Sequence, residues 1–285
     1  IEVPVDRHGY ERIVADPNLP AGLGLPTTPP YGAADVAVSG NGQRLWFVLY
    51  NHYQPVRHQV YSIGVDGSAP APSALGGGVI DPGTTLNGLF VRTDLDGSIA
   101  MLDSATQFWR IAAAGAPMQL MFDLTGANYA LADGQQRVSD DGTLGVFIDR
   151  WQLRVFTVNL SLAAPTATLI ANAAFFPHAG LNPRKLFGFD MSANGAHWYV
   201  AAENYDFGVA RSRYWVNHGI GTSAPSRVNE DIGGDAQLVN RDLQVSDDGG
   251  LFGFCVDGIT GVPGSCYLQA PGSTTRVHLH DDARQ

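Results

Sequence analysis

Six polar residues occupy a recurring place in this chain: Asp35, Gln135, Arg137, Asp190, Asp242 and Gln244 each lie two or four positions ahead of a serine that ends a short apolar run. Residues two apart on a strand share a face, so each set projects from one side of its strand. Three carboxylates, two amides and a guanidinium brought together would suit a polar ligand or a hard cation such as Ca2+, which takes six to eight oxygen ligands. Carboxylates at such positions also serve glycoside hydrolysis, at about 5 Å apart for retention and about 6.5–9.5 Å for inversion. The plainer reading is that these groups pair with one another or with water. A second candidate is the run Val277-His278-Leu279-His280-Asp281-Asp282, where His278 and His280 point the same way on a strand. Two imidazoles beside a carboxylate can hold zinc or copper; the metal candidates are thus Asp35, Asp190, Asp242, His278 and His280. His52 and His58, across the NHYQPVRH segment, are a weaker pair of the same kind.

What must position these groups is a repeat. A Ser-x-x-Gly turn followed by an apolar strand reads VAVSGNGQRLWFVLYN, RVSDDGTLGVFIDR, DMSANGAHWYVAAEN and LQVSDDGGLFGFCVDG, with a looser copy in LFVRTDLDGSIAMLDS. The turn glycines Gly42, Gly97, Gly142, Gly195 and Gly249 follow one another at spacings of 55, 45, 53 and 54 residues. Each unit continues into a second strand and a weaker closing strand, with no helical period. Asp, Asn and Gly in the turns tolerate positive φ and bond the backbone, so the Asp140-Asp141-Gly142 and Asp247-Asp248-Gly249 turns read as turn chemistry, lacking the further ligands of a calcium loop. Asn51, Asp103, Asp149, Asn204 and Asp257, at one repeat position, read as side chains bonding the next turn. Four antiparallel strands per unit of about 50 residues predict an all-β propeller of five blades, with six as the alternative. The expected organisation is one domain over 1–285, with 1–35 as a closing segment and blades near 36–87, 88–134, 135–186, 187–241 and 242–285.

The string Ser-Asp-Asp-Gly, apolar strand, short turn and Val-Tyr-Ser-Ile-Gly-Val-Asp-Gly resembles the repeat of TolB-like propellers, best in residues 39–67 and 139–160 and over about 35–280 in all. The resemblance implies an often exported scaffold that binds something at its channel or rim. It brings no shared catalytic motif to these residues.

Composition narrows the function further. Charged residues make up 15% of the chain, the net charge is −10, and Lys185 is the one lysine. Polyanion binding needs clustered cations, which disfavours nucleic acid. The 34 glycines of 285 residues exclude a long-helix protein, and no apolar run reaches the 18 residues of a membrane span. The chain lacks a Gly-x-Ser-x-Gly elbow. GLGLP and LGGGV lack the strand-to-helix setting of a phosphate loop or dinucleotide fingerprint. Cys255 and Cys266, the two cysteines, flank a Gly/Pro-rich connection and are expected to form a hairpin disulfide. That pairing points to a secreted or periplasmic setting. The chain opens on Ile1 with no basic-then-apolar leader, consistent with a removed leader or with a start inside a longer protein. Of the tryptophans, Trp46 and Trp198 are expected between blades, whereas Trp109 and Trp151 fall near turns. The leading expectation is a non-catalytic binding or protein-interaction module; a metal-assisted hydrolase or carbohydrate-active enzyme and a sugar-binding lectin are the alternatives. Partners expected are a protein or a carbohydrate, and Ca2+ is the candidate ion.

Overall fold

The computed structural model describes residues 31–51, 57–64, 73–74, 89–104, 107–111, 118–123, 136–149, 152–176, 185–206, 211–221, 223, 225–228, 237–238, 243–257, 265–273 and 275–280. They form five antiparallel sheets in chain order. The first holds β1 (Tyr31–Val38), β2 (Arg44–Asn51), β3 (Arg57–Gly64) and β4 (Ser73–Ala74). The second holds β5 (Leu89–Thr93), β6 (Ala100–Ser104), β7 (Gln107–Ile111) and β8 (Gln119–Asp123). The third holds β9 (Gln136–Val138), β10 (Leu144–Asp149), β11 (Arg154–Asn159) and β12 (Ala167–Ala171). The fourth holds β13 (Lys185–Met191), β14 (His197–Asp206), β15 (Arg211–Ile220) and β16 (Ser226–Arg227). In the fifth, the first-strand position is split between β17 (Gln237–Leu238) and β18 (Gln244–Val245), both paired with β19 (Phe252–Asp257). β20 (Ser265–Gln269) and β21 (Arg276–His280) follow. Each sheet is a meander of sequence neighbours, the order that short turns impose.

The five repeat turns share one hydrogen-bond plan. Ser39, Ser139, Ser192 and Ser246 accept at Oγ from the backbone N–H five residues on, at 2.9–3.0 Å. Asn41, Asp96, Asp141, Asn194 and Asp248 accept from the N–H two residues on, at 2.8–3.0 Å. The closing glycines Gly42, Gly97, Gly142, Gly195 and Gly249 all sit at φ between 67 and 76°, where a side chain costs about 1–2 kcal/mol. In the second sheet Asp94 takes the serine's place, receiving the Ile99 N–H at 3.2 and 3.3 Å.

By internal contacts the chain groups into two compact units: Ile1–Gly134 with Asp140–Thr143 and Asn159–Thr166, and Gln135–Ser139 with Leu144–Val158 and Ala167–Gln285. In the first, a core forms between the first two sheets from Trp46, Val48 and Val60 on one side and Val91, Ala100, Leu102 and Ile111 on the other. Trp46 is fully buried and its indole N–H donates to Gly97 O at 2.9 Å. In the second, Tyr199, Ala201 and Val216 of the fourth sheet pack on Leu243, Phe252 and Phe254 of the fifth. Trp198, also fully buried, donates to Gly221 O at 2.9 Å. Burying these two indoles leaves each one acceptor for its polar edge.

Candidate functional site

The first strand of each sheet has one edge without a ladder partner in its own sheet, so its N–H groups need acceptors elsewhere. Asp35 and Asp190 supply them. The Asp35 carboxylate accepts from Val91 N at 2.9 Å and from Arg92 Nη1 at 2.8 Å, tying β1 to β5. Asp190 accepts from Val245 N at 2.8 Å on one oxygen and from Arg137 Nε at 2.5 Å on the other, tying β13 to both β18 and β9. The two arrangements follow one rule. Counting back from the turn residue, Asp35 stands at position four and binds the N–H at position three of the next sheet. Asp190 stands at position two and binds the N–H at position one. In each case the carboxylate reaches the N–H one register place further along. The arginines also match: Arg92 Nη1 donates to Val91 O at 2.6 Å, and Arg137 Nη1 to Gln136 O at 2.8 Å. Each guanidinium is thus oriented by the carbonyl of the residue before it.

Local backbone positions these carboxylates. A register shift between Ala33 and Asp35 in β1, and another between Phe187 and Phe189 in β13, precede the two acids. In β13 the shift falls on Gly188, at φ 67°, and such a bulge re-aims the side chains that follow it.

Among the other candidates, Gln244 is exposed on β18 opposite Gly253. Gln135 and Asp242 lie outside the described residues, as does His52; His58 lies on β3 opposite Tyr50, its side chain undescribed. His278 is exposed on β21, its ring tilted against Tyr267 with centroids 5.4 Å apart. His280 stands opposite Cys266, its side chain undescribed. Among the described residues, no three His, Cys, Asp or Glu side chains are grouped to hold a metal ion. Cys255 and Cys266 are cross-strand partners and form the disulfide. Asp149 is fully buried, accepts from Gln152 N at 3.1 Å and pairs with Arg154; the side chains of Asn51, Asp103, Asn204 and Asp257 are outside the described residues.

Three groups escape a reading by the serine motif alone. Arg92 and Asp94 belong to the copy where Asp replaces Ser. Setting Gly97 against Gly42 and Gly142 would have aligned Arg92 with Arg137 and Asp94 with Ser139. Asp94 is 3% exposed, and burial is the main cause that raises its carboxyl above the ordinary 3.8, opposed by the hydrogen bonds from Ser98 and Ile99. The third is an imidazole pair: His197 Nδ1 lies 3.0 Å from His218 Nε2. Tyr199 is opposite His218 in the β14–β15 register, so His197 is a diagonal neighbour on the same face. Arg110, also buried, donates to Gln119 Oε1 at 2.6 Å and to Leu162 O at 3.3 Å.

No model of a known family and no curated protein matches this chain. Solved structures do resemble it. The β-propeller domain of the Trilobed protease from Pyrococcus furiosus has a TM-score of 0.53 at 8% identity, over 87% of this chain and 70% of that one. A periplasmic gluconolactonase from Pseudomonas aeruginosa has a TM-score of 0.52 at 14% identity, over 86% and 69%. Hydrazine synthase from Kuenenia stuttgartiensis has a TM-score of 0.51 at 9% identity, over 87% and 66%, so this chain spans about two thirds of that one. At such identities the likeness bears on fold. The fold class is an all-β propeller with five blades of antiparallel strands, and the repeat's resemblance holds at the level of the propeller.

Proposed function

We propose that this chain is a non-catalytic propeller module that binds another macromolecule outside the cytosol, its blades forming one domain over 1–285. The observation that carries the reading is the commitment of the first-strand carboxylates. Asp35 is held by Val91 N–H and Arg92, and Asp190 by Arg137 and Val245 N–H. A general acid needs a proton and a general base or cation ligand needs a free lone pair facing the substrate. Asp35 Oδ2 and both Asp190 oxygens instead accept from main chain and guanidinium, which is what a strand clamp requires. The Cys255–Cys266 disulfide supports an exported setting, since such bonds persist in oxidising compartments. No helix among the described residues is long and apolar enough to cross a membrane.

The rival is a hydrolase acting on a sugar or its lactone, and the gluconolactonase fold likeness gives it a chemistry to assay. The test pairs two measurements on the purified protein. Hydrolysis of aldonolactones is followed in a pH-stat with Ca2+ and with chelator. In parallel the protein is used to capture partners from envelope and secreted extracts, and each captured protein is then purified and titrated by calorimetry. Saturable binding of a purified partner with no turnover is the expected result. Lactone turnover abolished by Asp190→Asn in a folded variant would overturn the proposal.

A further inference from the structure

The His197–His218 contact joins two imidazoles in a place where backbone is packed on one of them. The ring centroids are 5.2 Å apart with planes inclined by 17°. That separation is the 3.0 Å nitrogen contact plus one ring radius on either side. The imidazoles therefore meet edge to edge, nearly coplanar, as a hydrogen bond between ring nitrogens requires. One nitrogen must carry the hydrogen and the other must offer a lone pair. A pair holding no extra proton, or one, can keep this bond. A pair holding two sets N–H against N–H and must part.

The pair lies beside the Ser246–Gly249 turn of the fifth sheet. A Cβ on Gly249 would fall 2.5 Å from His197 Cβ and Cγ, so the turn backbone rests directly on that residue. Tyr199 stacks on His218 at 4.5 Å and its hydroxyl donates to Gly249 O at 2.6 Å. Ala193 N donates to Asp247 O at 3.1 Å, from the turn that precedes His197. Three contacts thus join the Ser246–Gly249 turn to the residues around the imidazoles.

Charges around the pair are unequal. Asp248, exposed in the turn, interacts favourably with His197 and is itself held below its ordinary range by Gly250 N–H and Ser246, with a smaller contribution from His197. Asp247 is its exposed neighbour in the same turn. Tyr199 is neutral, burial pushing its hydroxyl up to about 12. On β16, Ser226 faces His218, whereas Arg227 stands opposite Asn217 and so belongs to the other face. A second proton on the pair enters against the charge of the first, and the His218 ring is half-buried. Burial first, and His197 second, lower the His218 pKa below 6.5.

We propose that His197 and His218 form a pH-sensitive latch holding the Ser246–Gly249 turn against the β14–β15 hairpin, closed with at most one added proton and released with two. The sign follows from linkage: a base that stays neutral in the fold binds fewer protons than in the unfolded chain. The latch therefore loses stability as pH falls below about 6.5 and is intact above it.

The test is an NMR titration of the isotope-labelled wild type and of the His218→Gln and His197→Gln variants. In the wild type, one of the two rings should titrate near neutrality and the other clearly below it, with the Ala193 amide shift following the lower step. Either glutamine variant should remain folded and lose that step at Ala193. Two independent ring titrations near 6.5 with an unmoving Ala193 amide would overturn the proposal, as would a step that persists in both variants. Should a variant fail to fold, the wild-type ring and amide titrations decide alone.

Discussion

Reducing the Cys255–Cys266 disulfide isolates one crosslink in one hairpin, and its effect can be worked out from the structure. The two residues are directly paired across β19 and β20, 11 positions apart in sequence. In the chain-entropy account, a closed loop of that size removes about 9–10 cal/mol/K from the unfolded chain, or about 3 kcal/mol at 25 °C. The strands on either side are already held by the β19–β20 ladder, with Phe252 and Phe254 in the core between sheets. Reduction should therefore leave the native sheet in place and act through the unfolded state. At about 2–4 °C per kcal/mol for a chain of this order of size, the melting temperature should fall by roughly 6–12 °C. The assay is urea unfolding of the oxidised and reduced protein, with Cys255→Ser/Cys266→Ser as a control that reductant cannot alter. The reduced wild type and this variant should agree to within about 1 kcal/mol. A loss below about 1 kcal/mol in both, or free thiols at both cysteines by mass spectrometry, would refute the reasoning.

Two further outcomes follow from packing and burial. Gly219→Ala would set a Cβ 2.0 Å from two ring carbons of the fully buried Trp198, whose indole N–H is tethered to Gly221 O; overpacking should cost about 3 kcal/mol in urea unfolding. Asp94→Asn should change how stability depends on pH. Because the folded carboxyl titrates above 3.8, the fold holds a proton that the unfolded chain has released, and wild-type stability falls as pH rises through that window. Relative to Asp94→Asn, the wild type should lose stability as pH climbs from about 4 and level off above the folded pKa; a relative gain would contradict the burial argument.

Much of this architecture was legible because turns impose strict chemistry. Positive φ at Gly42, Gly97, Gly142, Gly195 and Gly249 admits few residues, so the spacing of those glycines exposed the five sheets. The Cys255–Cys266 pairing was legible because the hairpin left little choice of register. Side-chain direction was harder to read. Period-two alternation placed Asp35 and Asp190 on the polar face, but what each carboxylate meets depends on register shifts at Ala33/Asp35 and Phe187/Phe189 that alternation does not reveal. Arg92 was missed because its turn begins with Asp94, and one altered residue hides a copy from a serine-based alignment. His197 and His218 are 21 residues apart in sequence, and only the β14–β15 register brings them together at the open end of that hairpin.

The clamp at Asp190 carries the account, and a double-mutant cycle on Arg137 and Asp190 tests it most directly. The pair is partly exposed, 29% for the Arg137 side chain and 14% for Asp190, which places its coupling between that of a surface pair and a buried one, at about 1 kcal/mol. Asp190→Ala should cost about 2 kcal/mol in urea unfolding, because Val245 N–H loses its acceptor as well. With Arg137→Met as the second arm, a coupling near 1 kcal/mol is the predicted result. Additive effects within about 0.3 kcal/mol, with Asp190→Ala as stable as the wild type, would contradict it and return the carboxylate to the candidates for ligand or substrate.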